Sequence, residues 1–196
     1  GNHEKGNGSH QENEMKTSRF ISRSTVLPVT ISGVKEHLGI YHSEKDENLK
    51  ILMEAACNAA EQFTGQIFRI GGDTIEQAIE KFTPVIDLDY SPATGVASVS
   101  YFDGSEYQTL ATGNYTFLDY TTPQKVEFST VPVATGSTEK AGLVRYVAGY
   151  ASPATVPADV RAAILLITQH LYENPGDTVR QLPTVSEYLL RNYKVH

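Results

Sequence analysis

Six consecutive apolar residues, Ala162 through Ile167, sit inside the stretch PADVRAAILLITQHLYENP at residues 157–175. Pro157 suits the first turn of a helix, and Asn174, Pro175 and Gly176 end one. On that helix Val160, Ala163, Ile164, Ile167 and Leu171 cover one face, while Ala162, Leu165, Leu166 and Tyr172 are apolar on others. A helix apolar all round must be covered all round. The run falls far short of the roughly 20 apolar residues a bilayer span needs. No segment with a basic start and an apolar middle stands at the N-terminus, so a soluble, cytoplasmically made protein without a membrane contact is expected. The chain has 196 residues, one domain or one domain with an arm, and in so small a unit a sheet covers only part of such a helix. The rest falls either to the other helices or to neighbouring copies of the chain.

The remaining elements can be placed by period and punctuation. The stretch TISGVKEHLGI predicts a short helix capped by Thr30 or Ser32 and closed near Gly39. SEKDENLKILMEAACNAAEQFTG predicts a longer one, with Ser43 and Asp46 approximating a capping box and Gly65 as its stop. Its apolar stripe is Leu49, Leu52, Ala56, Ala59, Ala60 and Phe63. Between residues 66 and 152 the pattern becomes strand-like, with short Val-, Tyr- and Phe-rich runs separated by Ser91-Pro92, Asp103-Gly104 and Gly113-Asn114. TIEQAIEKF fits both periods and is read as a strand. A last helix is expected at LPTVSEYLLRNYKV, with Thr184 and Glu187 as a capping box and Val185, Tyr188, Leu189 and Tyr193 on one face. The fold class is therefore α+β: two N-terminal helices, a central antiparallel β region of short strands, and two C-terminal helices. Residues 28–196 are read as one domain. Residues 1–27 are read as a tail or arm, of which 1–14 look like a cloning remnant and Met15 like a natural start.

Charge narrows the function. The net charge of -7 is uneven: residues 1–14 carry -2, residues 66–152 carry -5, and the rest balances. An acid-rich centre argues against a face that grips nucleic acid, because phosphate binding runs on Lys and Arg. One basic stretch stands out, Lys16, Arg19 and Arg23, a solvated arm or a docking segment. Motifs that carry chemistry are few. There is no phosphate-binding or dinucleotide glycine pattern, no His-Glu-x-x-His and no Gly-x-Ser-x-Gly. The single Cys57 excludes an internal disulfide and a Cys-based zinc cage. Asp87 and Asp89, on one strand face, are too few for a cation site, and His37, His42 and His170 have no ligand-spaced partner. Tyr90, Tyr101, Tyr107, Tyr115 and Tyr120 could pack or line a contact surface. Neither a cofactor nor a metal nor a catalytic residue is assigned.

Four segments in order then carry a resemblance: LPVTISGVKEHLGI, EKDENLKILMEAACNAAEQFTGQ, VRYVAGYASPATVPADVRAAILLITQHLYEN and LPTVSEYLLRNYKV. Together they resemble the tailed-phage head-tail connector family, the adaptor or head-completion proteins, over most of the chain from Pro28 to Val195. Ala148-Gly149-Tyr150, the Val156-Pro157 block running to Leu166, and Tyr172-Glu173-Asn174 are the most telling pieces. Ile75 stands where a Trp would be sought. The resemblance implies a non-enzymatic structural virion protein at the head-tail junction, held in the bacterial cytoplasm before assembly. It implies a homo-oligomeric ring, twelve-fold in the virion, that contacts the portal and the next tail-side connector or stopper protein. DNA passes through without specific binding. Candidate contacts to other copies or partners are Leu165, Leu166, Tyr172, Tyr188, Arg191, Tyr193, Lys194, Arg19 and Arg23. The alternatives from other classes are a small β-rich binding module of a virion, contacting sugar or receptor through its tyrosines, and a hydrolase using Asp87 or Asp89.

Overall fold

A computed structural model describes residues 18–135, 140–176 and 182–195. The readings of residues 1–14, Met15 and Lys16 lie outside the described residues. Helix α1 (Ile31–Leu38) starts where the Thr30 hydroxyl accepts the Gly33 N–H at 3.1 Å. It stops at Gly39, whose φ of +67° lets the Ile40 N–H turn back to the Lys35 carbonyl at 2.9 Å. Helix α2 (Asp46–Thr64) begins without a side-chain cap, so the Ser43 capping box does not form, although Asp46 and Glu47 occupy its first turn. Its buried stripe is Leu49, Met53, Ala56, Cys57, Ala60, Glu61 and Thr64. The expected stripe had Leu52, Ala59 and Phe63 in place of Met53, Cys57, Glu61 and Thr64. A carboxylate enters the buried face because cations meet it there, and that compensation is invisible to hydrophobic periodicity.

Among the described residues eight strands follow the α+β expectation, but the order there opens with a strand rather than a helix. β1 (Ser18–Ser22) lies on the edge of a five-stranded antiparallel sheet, ordered β1-β2-β8-β4-β5. The others in that sheet are β2 (Asp73–Ile79), β4 (Ala93–Phe102), β5 (Tyr107–Thr109) and β8 (Gly142–Ala148). The ambiguous TIEQAIEKF segment is the strand β2, because Ile75, Gln77 and Ile79 point to one face while Phe82, beyond the strand, packs on the same core. A second antiparallel sheet, ordered β3-β7-β6, contains β3 (Val85–Asp87), β7 (Lys125–Phe128) and β6 (Tyr115–Leu118). The inner faces of both sheets share one apolar cluster: Ile75, Val99, Val144 and Tyr146 from the first meet Ile86, Val126 and Phe128 from the second. This is a small β sandwich.

Helices α3 (Ala158–Glu173) and α4 (Thr184–Leu190) return the chain to the helical layer. A second cluster joins Ala56, Cys57 and Ala60 of α2 to Val160, Ala163, Ile164 and Ile167 of α3 and Leu190 of α4. A third, Val34, Ile40, Leu49 and Met53, lies between α1 and the first half of α2. The layers meet where residues 67–70 run beside Tyr150. The Tyr150 N–H donates to the Arg69 carbonyl at 3.0 Å, and the Gly71 N–H donates to the Tyr150 carbonyl at 2.8 Å. Gly149 makes this crossing possible: its φ is +141°, and a Cβ there would stand 2.6 Å from the Gly72 Cα. The Ala-Gly-Tyr motif read from the sequence is thus the joint between sheet and helices.

Candidate functional site

The over-apolar helix α3 finds most of its cover within the chain. Val160, Ala163, Ile164 and Ile167 belong to the core shared with α2 and α4. Leu165 and Tyr172 pack against the α1–α2 cluster on another side, with Lys45 Nζ donating to the Tyr172 hydroxyl at 3.1 Å. Leu166 is half-buried and belongs to none of the three clusters.

Helix α4 is oriented differently from its expected face. Ser186 and Leu190 are buried, Leu182, Leu189 and Tyr193 pack against the helical core, and Val185 and Tyr188 point outward, Tyr188 with 72% exposure. The Thr184 capping box does not form, because Thr184 is already the first helical residue after Pro183. Arg191 is exposed, 3.7 Å from Glu187 one turn back. Beyond it the chain is fastened down: the Val195 N–H donates to the Thr64 carbonyl at 2.8 Å, Gln66 Nε2 donates to the Tyr193 carbonyl at 2.7 Å, and Lys194 Nζ lies 4.4 Å from the centre of the Phe63 ring. Of the C-terminal candidates, Tyr188 and Arg191 therefore share one open helix face with Val185.

Arg19 and Arg23 of the basic stretch are folded into the subunit. Arg23 Nη2 donates to Glu61 at 2.6 Å and its Nε to Asp73 at 2.9 Å, carboxylates with 6% and 0% exposure. The Ser24 N–H adds a bond to Asp73 at 2.8 Å, and Arg69 Nη1 donates to the Ser24 carbonyl at 2.7 Å. Burial pushes the Glu61 carboxyl above its usual range, opposed by the Phe68 N–H, Arg23 and Arg69. This cluster ties β1, α2 and β2 together. Arg19 instead lies on the outer face of the five-stranded sheet, in a cross-strand row with Glu76 and Arg145. Its Nε donates to Glu76 Oε1 at 2.8 Å, and Arg145 Nη2 donates to Glu76 Oε2 at 2.7 Å. Burial works to raise the Glu76 carboxyl, but the two guanidinium groups override it and hold the group below the usual carboxylate range. Nothing in the local sequence signals this row, since Arg19 and Glu76 are 57 residues apart.

The residues of the alternative readings are dispersed. Tyr90, Tyr101, Tyr115 and Tyr146 pack on the sandwich core, while Tyr107 and Tyr120 are exposed on separate segments. Asp87 ends β3 and pairs with Lys125 at 3.0 Å. Asp89 lies beyond the strand on the other side and accepts the Ser18 hydroxyl, so the two carboxylates do not share a face. His37 faces Gln169 of α3 at 3.0 Å, and His170 lies by Asn174. Among the described residues no three His, Cys, Asp or Glu side chains converge as a metal site would require, and no helix is long and apolar enough to cross a membrane.

Comparison with known proteins gives this arrangement a context. The fold matches a chain in the neck of an empty GTA particle computed with C6 symmetry, at 16% identity and a TM-score of 0.74. It matches one in the virion of a native gene transfer agent particle at 16% and 0.73, and one in the neck of a native GTA particle computed with C12 symmetry at 18% and 0.72. In each case 91% of this chain and 95% of the other are covered. No curated protein matches. The family model described as phage gp6-like head-tail connector protein matches residues 28–120, from the turn before α1 to the end of β6 and just beyond. Over those residues this chain is similar to the phage gp6-like head-tail connector family.

Proposed function

We propose that this chain is the neck adaptor of a tailed phage, a prophage or a phage-derived particle. Copies close into a ring between the portal and the next tail-side connector or stopper protein, and DNA passes through the centre without specific binding. The observation that carries the reading is the coincidence of the family match over residues 28–120 with a neck-protein fold over 91% of the chain. The C12 symmetry of the native GTA neck suits twelve copies. A ring built this way needs surfaces free for contacts outside the subunit, and the open face of α4, with Val185, Tyr188 and Arg191, supplies one suited to a portal or tail partner. The chain works by shape and contact, with no reaction of its own.

Microscopy of the purified chain at high concentration, and of the chain bound to portal-bearing heads, should show annular particles. Heads and tails that join normally when this chain is missing would overturn the reading.

A further inference from the structure

We infer that the ring contact is made by the two outer faces of the β sandwich, the five-stranded face of one copy lying against the three-stranded face of the next. The inference rests on the ring proposed above and names its contact. A closed ring needs two different surfaces on opposite sides of each copy. The sandwich offers them, because its two sheets share their inner faces and so present their outer faces in opposite directions. Among the described residues, none of the helical clusters contains an outward strand residue, and the sandwich cluster contains no helix residue.

The two faces are opposite in charge. The outward side of the five-stranded sheet carries Thr74 and Ala78 from β2, Leu143 and Val147 from β8, and Ser98 and Ser100 from β4, with the Phe102–Tyr107 ring pair at its β5 edge. Across them runs the Arg19–Glu76–Arg145 row, in which two cations share one carboxylate. Glu76 is only 5% exposed, whereas the Arg19 and Arg145 side chains are 71% and 46% exposed, so the surplus positive charge faces outward. The outward side of the three-stranded sheet reverses the count. Register places Val85, Glu127 and Thr116 in one row and Asp87, Lys125 and Leu118 in the next. Lys125 is taken by Asp87 at 3.0 Å, and Glu127 is exposed with no ion pair among the described residues. One surplus guanidinium on one side and one surplus carboxylate on the other give a front-to-back contact its register, while Leu143, Val147 and Val85 add apolar area. Two copies meeting through the same face would instead set like charges together.

The test is a charge swap. Glu127→Lys alters an exposed side chain and should fold as the wild type. It should raise the protein concentration needed for half-assembly by about tenfold or more, read by light scattering and sedimentation. Adding Arg145→Glu in the same chain should restore assembly. Because that change sets a carboxylate opposite Glu76, thermal unfolding is measured alongside. If the swapped chain does not fold, Glu127→Gln with Arg145→Gln serves instead, and its assembly should lose the salt dependence of the wild type. Wild-type rings that Glu127→Lys leaves unchanged, or that are insensitive to salt, overturn the contact and leave the ring standing. A wild-type chain that forms no ring, either alone or on portal-bearing heads, overturns the ring itself.

Discussion

Arg23 reaches two buried carboxylates on different elements, Glu61 of α2 and Asp73 of β2. Removing it leaves both without their principal cation, and orphaned buried charge is costly in a way that a lost surface pair is not. Arg23→Ala should lower stability by about 3 kcal/mol in denaturant unfolding, the lower end of the range because the guanidinium keeps some solvent. Glu76 behaves differently with pH. Its carboxyl titrates lower in the folded chain than in the unfolded one, so its contribution is fully present above the usual carboxylate range and is lost as pH falls through the folded value. Glu76→Gln should therefore weaken the chain near neutral pH and flatten the loss of stability measured as pH falls from about 7 to about 3. At Gly149 the expected effect is steric: Gly149→Ala forces a Cβ against the Gly72 Cα and the Arg69 carbonyl and should cost more than about 1 kcal/mol.

At the scale of elements, α3 and α4 call for opposite outcomes. Ile164 is wholly buried between α2, α3 and α4, so Ile164→Ala should destabilise by about 2–5 kcal/mol. Tyr188 stands on the open face of α4, so Tyr188→Ala should leave the unfolding midpoint within about 0.5 kcal/mol of the wild type. It should nonetheless reduce joining of heads to tails in a complementation assay. The contrast separates a helix that builds the subunit from a face proposed to serve its neighbours. Helix α3 was legible in the sequence because Pro157 and Asn174 bracket a strong pattern, and its observed span, Ala158–Glu173, lies just inside them. Strand β1 was not legible. Its five residues show no decisive pattern within a basic stretch, and what fixes it is pairing with β2, more than fifty residues away. The outward turn of Val185 and Tyr188 was missed for a related reason: on so short a helix two faces can both look apolar, and only contact with α3 selects Ser186 and Leu190 as the buried one.

For the whole molecule, the helical layer and the sandwich divide the work. The helices close their own core around α3, and the joint at Gly149 and Tyr150 couples them to the sheets. Most of the apolar excess seen in the sequence is thereby absorbed by the subunit, which shifts the expected assembly contacts from grease toward charge and sheet surface. Assembly should consequently weaken as ionic strength rises, with the half-assembly concentration measured across salt as the check. Cys57 carries a practical consequence of this packing. It is the chain's only cysteine, it is wholly buried between α2 and α3, and burial raises its thiol well above the ordinary range. The native chain thus offers a chemically silent background. A fluorophore or gold cluster attached through Tyr188→Cys or Glu127→Cys would report the orientation of the subunit inside an intact particle, with no cysteine-free variant to prepare first.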